Sequence, residues 1–179
     1  MESFDELDIE GNPTGNVITR SDAHTNGLWH GTVHIWIPGP NKTLVWQKRS
    51  LTKDTNPGLW DISAAGHIES GQTPIDSAVR EVYEETNLKI NPTHLIELFR
   101  IRNSFTDPIT GVVDREYQTV FWCKKQFDLT LESTNLEEVQ CLDFKSYSFL
   151  KNGRDKVDHS EEYSRLYDWI VSSTKDREL

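Results

Sequence analysis

An α/β (α+β) sandwich is the fold class this sequence predicts. Short runs rich in β-branched and aromatic residues recur along most of the chain, and turn-forming residues separate them. Helical periodicity is confined to one central and one C-terminal segment, the balance expected of strands packed against few helices. Six tryptophans and a hydrophobic content of 35% supply the side chains for a core, and 179 residues fit one domain. Residues 1–23 read as an N-terminal arm or early hairpin, and residues 24–179 as a single domain including the C-terminal helix.

The first 16 residues are acidic and punctuated by Gly11, Pro13 and Gly15, which favours the hairpin. Residues 32–37 and 43–47 read as strands about the turn Pro38-Gly39-Pro40-Asn41. A loop through Lys53 and Pro57 leads to Trp60, Ile62 and a glycine turn. Residues 95–101 and 117–123 are further strands, and the polar connection from Asn103 to Asp114 between them reads as a pocket rim. Residues 136–144 supply another strand or edge. Asp158 and Glu161 form a capping box ahead of the terminal helix, marked by Tyr163, Leu166, Tyr167 and Ile170.

The central helix is defined by local chemistry. Thr73 caps it, Pro74 takes N1, Asp76 takes N3, and Asn87 suits a left-handed C-terminus. Ile75, Ala78, Val79 and Val82 form its apolar stripe. Glu81, Glu84 and Glu85 stand at i, i+3 and i+4 on one face, where like charges repel unless a cation intervenes. A divalent ion would offset that repulsion, since Mg2+ and Mn2+ take oxygen ligands and keep positions open for water and phosphate. Helical phase turns Arg80 away from the three glutamates.

The run from Gly66 to Leu88 resembles the Nudix signature, G-x5-E-x7-R-E-U-x-E-E-x-G-U with U aliphatic. Gly66, Arg80, Glu81, Val82, Glu84, Glu85 and Leu88 match in register, while Gln72 replaces the first glutamate and Asn87 the later glycine. Residues 24 to 123 further resemble the isopentenyl-diphosphate isomerase-like branch. Pro57-Gly58-Leu59-Trp60 enters the Gly66-His67 pair, and Asp114 and Glu116 close a second acidic segment that begins at Asp107. That resemblance implies a Nudix α/β/α sandwich with a mixed sheet and a signature loop-helix-loop. Isomerases of the branch carry a cysteine immediately before the Gly-His pair, where this chain has Ala65, so the proton transfers of alkene isomerisation lose their group.

The resemblance implies a metal set of His30, His67, Asp114 and Glu116 beside Glu81, Glu84 and Glu85, with Mg2+ or Mn2+ as the ion. His24 would join it, although its spacing to His30 is one residue shorter than in those isomerases. The implied activity is metal-assisted attack of water on a diphosphate linkage, in a nucleoside diphosphate derivative or related organic diphosphate. Glu116 is the candidate general base and Arg80 the organiser of the signature loop. Isopentenyl-diphosphate isomerisation and noncatalytic diphosphate binding are the alternatives. Lys48, Arg49 and Lys53 form a basic patch suited to phosphate, and Arg100 and Arg102 a second one. Trp29, Phe105 and Tyr117 could pack on the organic part of the substrate, while Trp60 reads as core or rim packing. A net charge of -10 argues against nucleic acid as a stable partner. Cys123 and Cys141 are too few for a disulfide scaffold, and no membrane span or signal peptide is evident. A cytoplasmic protein acting on a small-molecule diphosphate is expected, with homodimerisation open.

Overall fold

A computed structural model describes residues 2–53, 55–106, 111–125 and 139–175. The N-terminus forms a hairpin of β1 (Ser3–Leu7) and β2 (Pro13–Thr19), whose turn is held by Asp8 Oδ1 accepting the Glu10 and Asn12 amides at 2.9 and 2.8 Å. A helix absent from the sequence reading follows, α1 (Arg20–Asn26), capped by Thr19 and closed by Gly27 at φ 61°. Only Ala23 of its seven residues is buried, so it shows no apolar stripe. Next come β3 (His30–Trp36), β4 (Pro38–Gly39) and β5 (Thr43–Arg49). Asn41 and Lys42, with φ 54° and 59°, make the left-handed turn that fits the twist of the β4–β5 hairpin.

Then come β6 (Trp60–Asp61), β7 (Ala64–His67), α2 (Pro74–Thr86), a 3-10 turn (Pro92–His94), β8 (Leu95–Thr106) and β9 (Val113–Cys123). The chain closes with β10 (Val139–Ser146), α3 (Phe149–Asn152) and α4 (Ser160–Lys175). The expected Asn103–Asp114 loop is mostly strand. Asn103 pairs with Glu116, Ser104 with Arg115 and Phe105 with Asp114, because an antiparallel ladder is built by the backbone and accepts polar side chains. Residues 107–110 of that expected rim, and 136–138 of the expected last strand, lie outside the described residues. The capping box at α4 is also replaced. Asp158 Oδ1 takes the Ser160 amide at 3.1 Å, while Glu161 reaches forward to Arg165 at 3.3 Å.

A mixed sheet runs β7-β3-β9-β8, with β3 parallel to β9 and antiparallel to β7. The second sheet runs β10-β5-β4, with β6 on β5. One face of the mixed sheet gives Val33, Ile35, Ala64 and Phe121 to a core shared with Val45 of β5 and with Ala78 and Val82 of α2. The opposite face carries Trp36 and Val120 into a second core under Tyr163, Leu166 and Ile170 of α4. Alternation along β3 therefore puts His30, Thr32, His34 and Trp36 on the α4 side. The two ends of that face have different covers. The N-terminal hairpin lays Phe4 over the His30 end, and α4 seals the Trp36 end. Among the described residues, no helix is long and apolar enough to cross a membrane.

Between these covers lies a buried ion pair. His34 Nδ1 is 2.7 Å from Glu162 Oε2, and Trp36 Nε1 donates to Glu162 Oε1 at 2.7 Å. Burial disfavours a charged His34, but the Glu162 carboxylate outweighs it and raises the imidazole from its ordinary 6.5 to about 9. The stabilisation from this proton is therefore fully present below pH 6.5 and is lost as the pH rises through 9. Thermal unfolding followed from pH 6 to 10 should show a declining midpoint in the wild type. In Glu162→Gln, which removes the charge that holds the proton, the decline over this window should be shallower.

Candidate metal centre

The signature helix forms as its caps dictate. Thr73 Oγ1 accepts the Asp76 amide at 3.3 Å and bonds its carboxylate at 2.6 Å, and Asn87 closes the helix at φ 57°. The buried Ala78 and Val82 then fix which face turns toward β7. Glu81 lies directly beneath Gly66, where even a methyl group would overlap its carboxylate. Glu85 Oε2 accepts the Ala65 amide at 2.9 Å and Gln47 Nε2 at 3.0 Å, while Glu84 remains 47% exposed.

Arg80 does not point away from these acids. Its Nη1 is 2.8 Å from Glu81 and 2.9 Å from Glu84, which is four residues on and hence on the same face. Nη2 donates to the His67 carbonyl at 2.9 Å, and Nε lies 3.4 Å from Gln72 Oε1. Gln72 also accepts from Ser77 Oγ at 2.8 Å and donates to Glu69 at 3.0 Å. The glutamine thus fills the first glutamate position of the signature with a hydrogen-bonding hub for the loop. Glu81, Glu84 and Glu85 do not close into one three-ligand group, since Arg80 stands between two of them and the third is turned to the edge of β7.

A different group closes above β7. His24 comes from the last turn of α1, His30 opens β3, His67 ends β7, and Asp114 and Glu116 lie on β9. The parallel pairing of His30 with Glu116 brings β3 and β9 into register there. Ligand atoms of His24, His30 and His67 lie within 4.8 Å of one another, as do those of His30, Asp114 and Glu116. Asp114 Oδ1 is 3.7 Å from His24 Nε2 and 3.8 Å from His30 Nε2. All three atoms are buried without a hydrogen-bond partner. Such orphaned atoms are costly and rare, and this set of imidazole nitrogens and carboxylate oxygen fits a divalent metal ion.

Neighbours fix the rings. His30 Nδ1 is 3.0 Å from the Leu28 carbonyl, which assigns the proton to Nδ1 and leaves the Nε2 lone pair facing the group. Phe4 stacks on His30 and His67 with centroids at 5.0 and 4.5 Å. Glu2 and Arg20, paired at 3.0 Å, meet His67 Nδ1 at 3.4 and 3.2 Å. Burial and the nearby His30 ring lower His24 to about 4, and burial lowers His30 also. Both are therefore neutral at physiological pH, the form that binds metal. Burial and the Glu116 charge raise Asp114 to about 7. Glu2, Phe4 and Arg20 had no motif to announce them in the sequence.

The remaining expected residues scatter. Lys48 Nζ lies 5.6 Å from the Trp60 ring. Arg49 is bound to Asp61 at 2.9 Å and to the Thr55 carbonyl, because β6 lies directly against β5. Lys53 sits in the turn after β5, its amide on the Ser50 carbonyl. Arg100 pairs with Glu97 at 2.9 Å, and Arg102 reaches the Ile9 carbonyl at 3.3 Å. Trp29 and Tyr117 pack together at 5.2 Å, and the tyrosine hydroxyl bonds the Ile9 carbonyl, so these rings seat the hairpin turn. Phe105 is 52% exposed and lies opposite Asp114, the one expected ring beside the metal group.

A NUDIX domain model matches residues 28–167. The chain belongs to the Nudix family. Nudix hydrolase 3 of Arabidopsis thaliana is 32% identical over 94% of this chain and 23% of its own length. An uncharacterized Nudix hydrolase of Clostridium acetobutylicum is 34% identical over 68% of this chain and 59% of its own. The isopentenyl-diphosphate Delta-isomerase of Escherichia coli is 30% identical over 76% of this chain and 74% of its own. The chain thus spans less than two thirds of the two hydrolases named here, and it sits in the isopentenyl-diphosphate isomerase-like branch of the superfamily without the isomerase cysteine. A crystal structure from Deinococcus radiodurans superposes with a TM-score of 0.68 at 22% identity, covering 93% of this chain and 99% of that one. The NUDIX domain of Shewanella oneidensis NrtR, solved with ADP ribose, superposes at 0.59 with 12% identity, covering 78% of this chain and 87% of that one. These two likenesses speak for the Nudix fold.

The Nudix glycine yields a direct test. Gly66→Ala must displace either Glu81 or β7, and overpacking of this kind costs about 1–3 kcal/mol. Urea unfolding should register that loss.

Proposed function

We propose that this chain is a metal-dependent Nudix hydrolase that cleaves a diphosphate linkage in a nucleoside diphosphate derivative or related organic diphosphate. The observation that carries the reading is the convergence of His24 Nε2, His30 Nε2 and Asp114 Oδ1, buried and unpartnered, beside the β7 strand that also contacts Glu81 and Glu85. His24, His30, His67, Asp114 and Glu116 would hold a divalent ion such as Mg2+ or Mn2+, with the signature glutamates adding oxygen ligands once phosphate is bound. Such an ion supplies Lewis-acid stabilisation of phosphoryl charge and acidifies water.

The chain's own groups do the rest. Glu116, held below the ordinary carboxylate range by the His67 and His34 rings despite burial, stays ionised and can accept a proton from the attacking water. Arg80 ties α2 to the His67 carbonyl and so links the signature helix to the histidine group. Isomerisation would need a proton-transfer group beside Ala65. Neither thiol serves, since Cys123 lies buried at the far end of β9 with its Sγ on the Lys125 carbonyl, and Cys141 is exposed on β10.

The test is product analysis with Mg2+ and Mn2+ on nucleoside diphosphate derivatives, ADP ribose and isoprenyl diphosphates. Water-dependent cleavage at phosphorus is expected; dimethylallyl diphosphate formed without phosphate release would replace this reading with isomerisation. Glu84→Gln should cut turnover at least tenfold while unfolding as the wild type does, and Glu116→Gln should cut it about 100-fold, within the range of general-base loss. Full turnover in either variant removes that residue from its proposed role. Removal of His30 or Asp114 should weaken Mn2+ binding by tenfold or more in calorimetry, independent of turnover.

A further inference from the structure

The metal group does not use all the ionisable side chains on its face of the mixed sheet. His34, His159 and Glu162 form another close group, with ligand atoms within 4.8 Å of one another. Each imidazole is tethered by a buried carboxylate: His34 Nδ1 to Glu162 at 2.7 Å and His159 Nε2 to Asp61 at 3.2 Å. The rings meet edge to face, with centroids 5.1 Å apart. A structural pair would account for Glu162, which also takes the Trp36 indole proton. It does not account for His34 Nε2, which has no hydrogen bond to a described residue.

Position decides what that nitrogen can meet. His34 shares its sheet face with His30 and Thr32, and four residues of strand set it about 13 Å along the face from His30. Across the β3–β7 ladder it lies opposite Ala65, as Thr32 lies opposite His67. Thr32 Oγ1, between the two groups, is buried without a partner. The face thus presents phosphate-competent ligands at one end and a tethered imidazole pair at the other, with an unused hydroxyl between them. A ligand whose phosphates occupy the metal group would extend its organic part over Ala65 toward His34.

We propose that His34, positioned by Glu162, is a specificity-determining residue for the group attached to the diphosphate, recognising an oxygen-rich, sugar-like moiety and rejecting a hydrocarbon chain. This rests on the reading of the metal group as the diphosphate site. An imidazole held on one side by a carboxylate offers its other nitrogen to hydroxyl or ring oxygens. A hydrocarbon in the same place would face this polar pair and return no hydrogen bond. Sites built to hydrogen-bond a polar group reject analogues lacking it far more strongly than apolar pockets reject an extra methylene.

The test compares binding of ADP ribose and isopentenyl diphosphate by calorimetry, with Ca2+ replacing Mg2+ to suppress turnover, and measures turnover separately with Mg2+. The wild type should favour ADP ribose at least tenfold. His34→Leu should reduce that preference to threefold or less. Because His34→Leu leaves Glu162 unpaired, the double variant His34→Leu/Glu162→Met, which replaces the pair with apolar volume, provides a second folded background. A wild type without the preference, or a double variant that keeps it, overturns the proposal. Turnover with an unmoved binding ratio defeats the specificity role alone. A shifted ratio without turnover in the wild type leaves the specificity role standing and defeats hydrolysis.

Discussion

The parallel register of β3 against β9 is the constraint on which the rest of this structure depends. It sets His30 beside Glu116 and Thr32 beside Gln118, and alternation then gives Val33, Ile35 and Phe121 to the core under α2. A slip by one residue would exchange those roles, burying histidines among apolar side chains and exposing the core face. Hydrophobic burial thus enforces the register, and the register assembles the ligands. No separate energetic device is needed to bring His30, Asp114 and Glu116 together, because the core that stabilises the sheet already specifies their positions.

The strand β7 divides the site into two chemically different halves. On the α2 side, Gly66 and Ala65 receive Glu81 and Glu85, and Arg80 pairs with the buried Glu81 and the exposed Glu84. On the other side, His67 joins neutral imidazoles and a carboxyl group whose pKa burial has raised. Arg80 spans the division through the His67 carbonyl. The arrangement separates a salt-bridged pair of acids on α2 from the buried, unpartnered His24, His30 and Asp114 atoms on the other side. Both halves are anchored on four residues of a short edge strand.

How much of this was legible in the sequence follows from how local each determinant is. Helix α2 reads correctly from Thr73 to Asn87 because caps, N1 proline and apolar stripe all lie within it. The Nudix family and the α/β sandwich follow from the same segment and from the strand pattern. Helix α1 was not legible, since its seven residues are held by Thr19, Gly27 and docking rather than by periodicity. Helical phase sets Arg80 apart from the centre of the glutamate trio, yet its long side chain reaches Glu81 next to it and Glu84 at i, i+4, so phase against the trio does not predict its partners. The strand ends at Asn103–Thr106 looked like loop because their side chains are polar, whereas the ladder that orders them is made of backbone. Trp29, Tyr117 and Arg49 carry chemistry suited to a ligand, but tertiary neighbours in the hairpin turn and at Asp61 claim them first.

Phe4, fully buried on the first strand of the N-terminal hairpin, lies flat on two imidazoles. The matched family residues start at 28, yet His24, Phe4, Glu2 and Arg20 all precede them. The candidate metal group is therefore closed by a segment that the family match does not include. Evolutionary change in that leading segment could retune metal choice or access while the signature helix stayed untouched, so chains with the same central motif need not share the same inorganic chemistry.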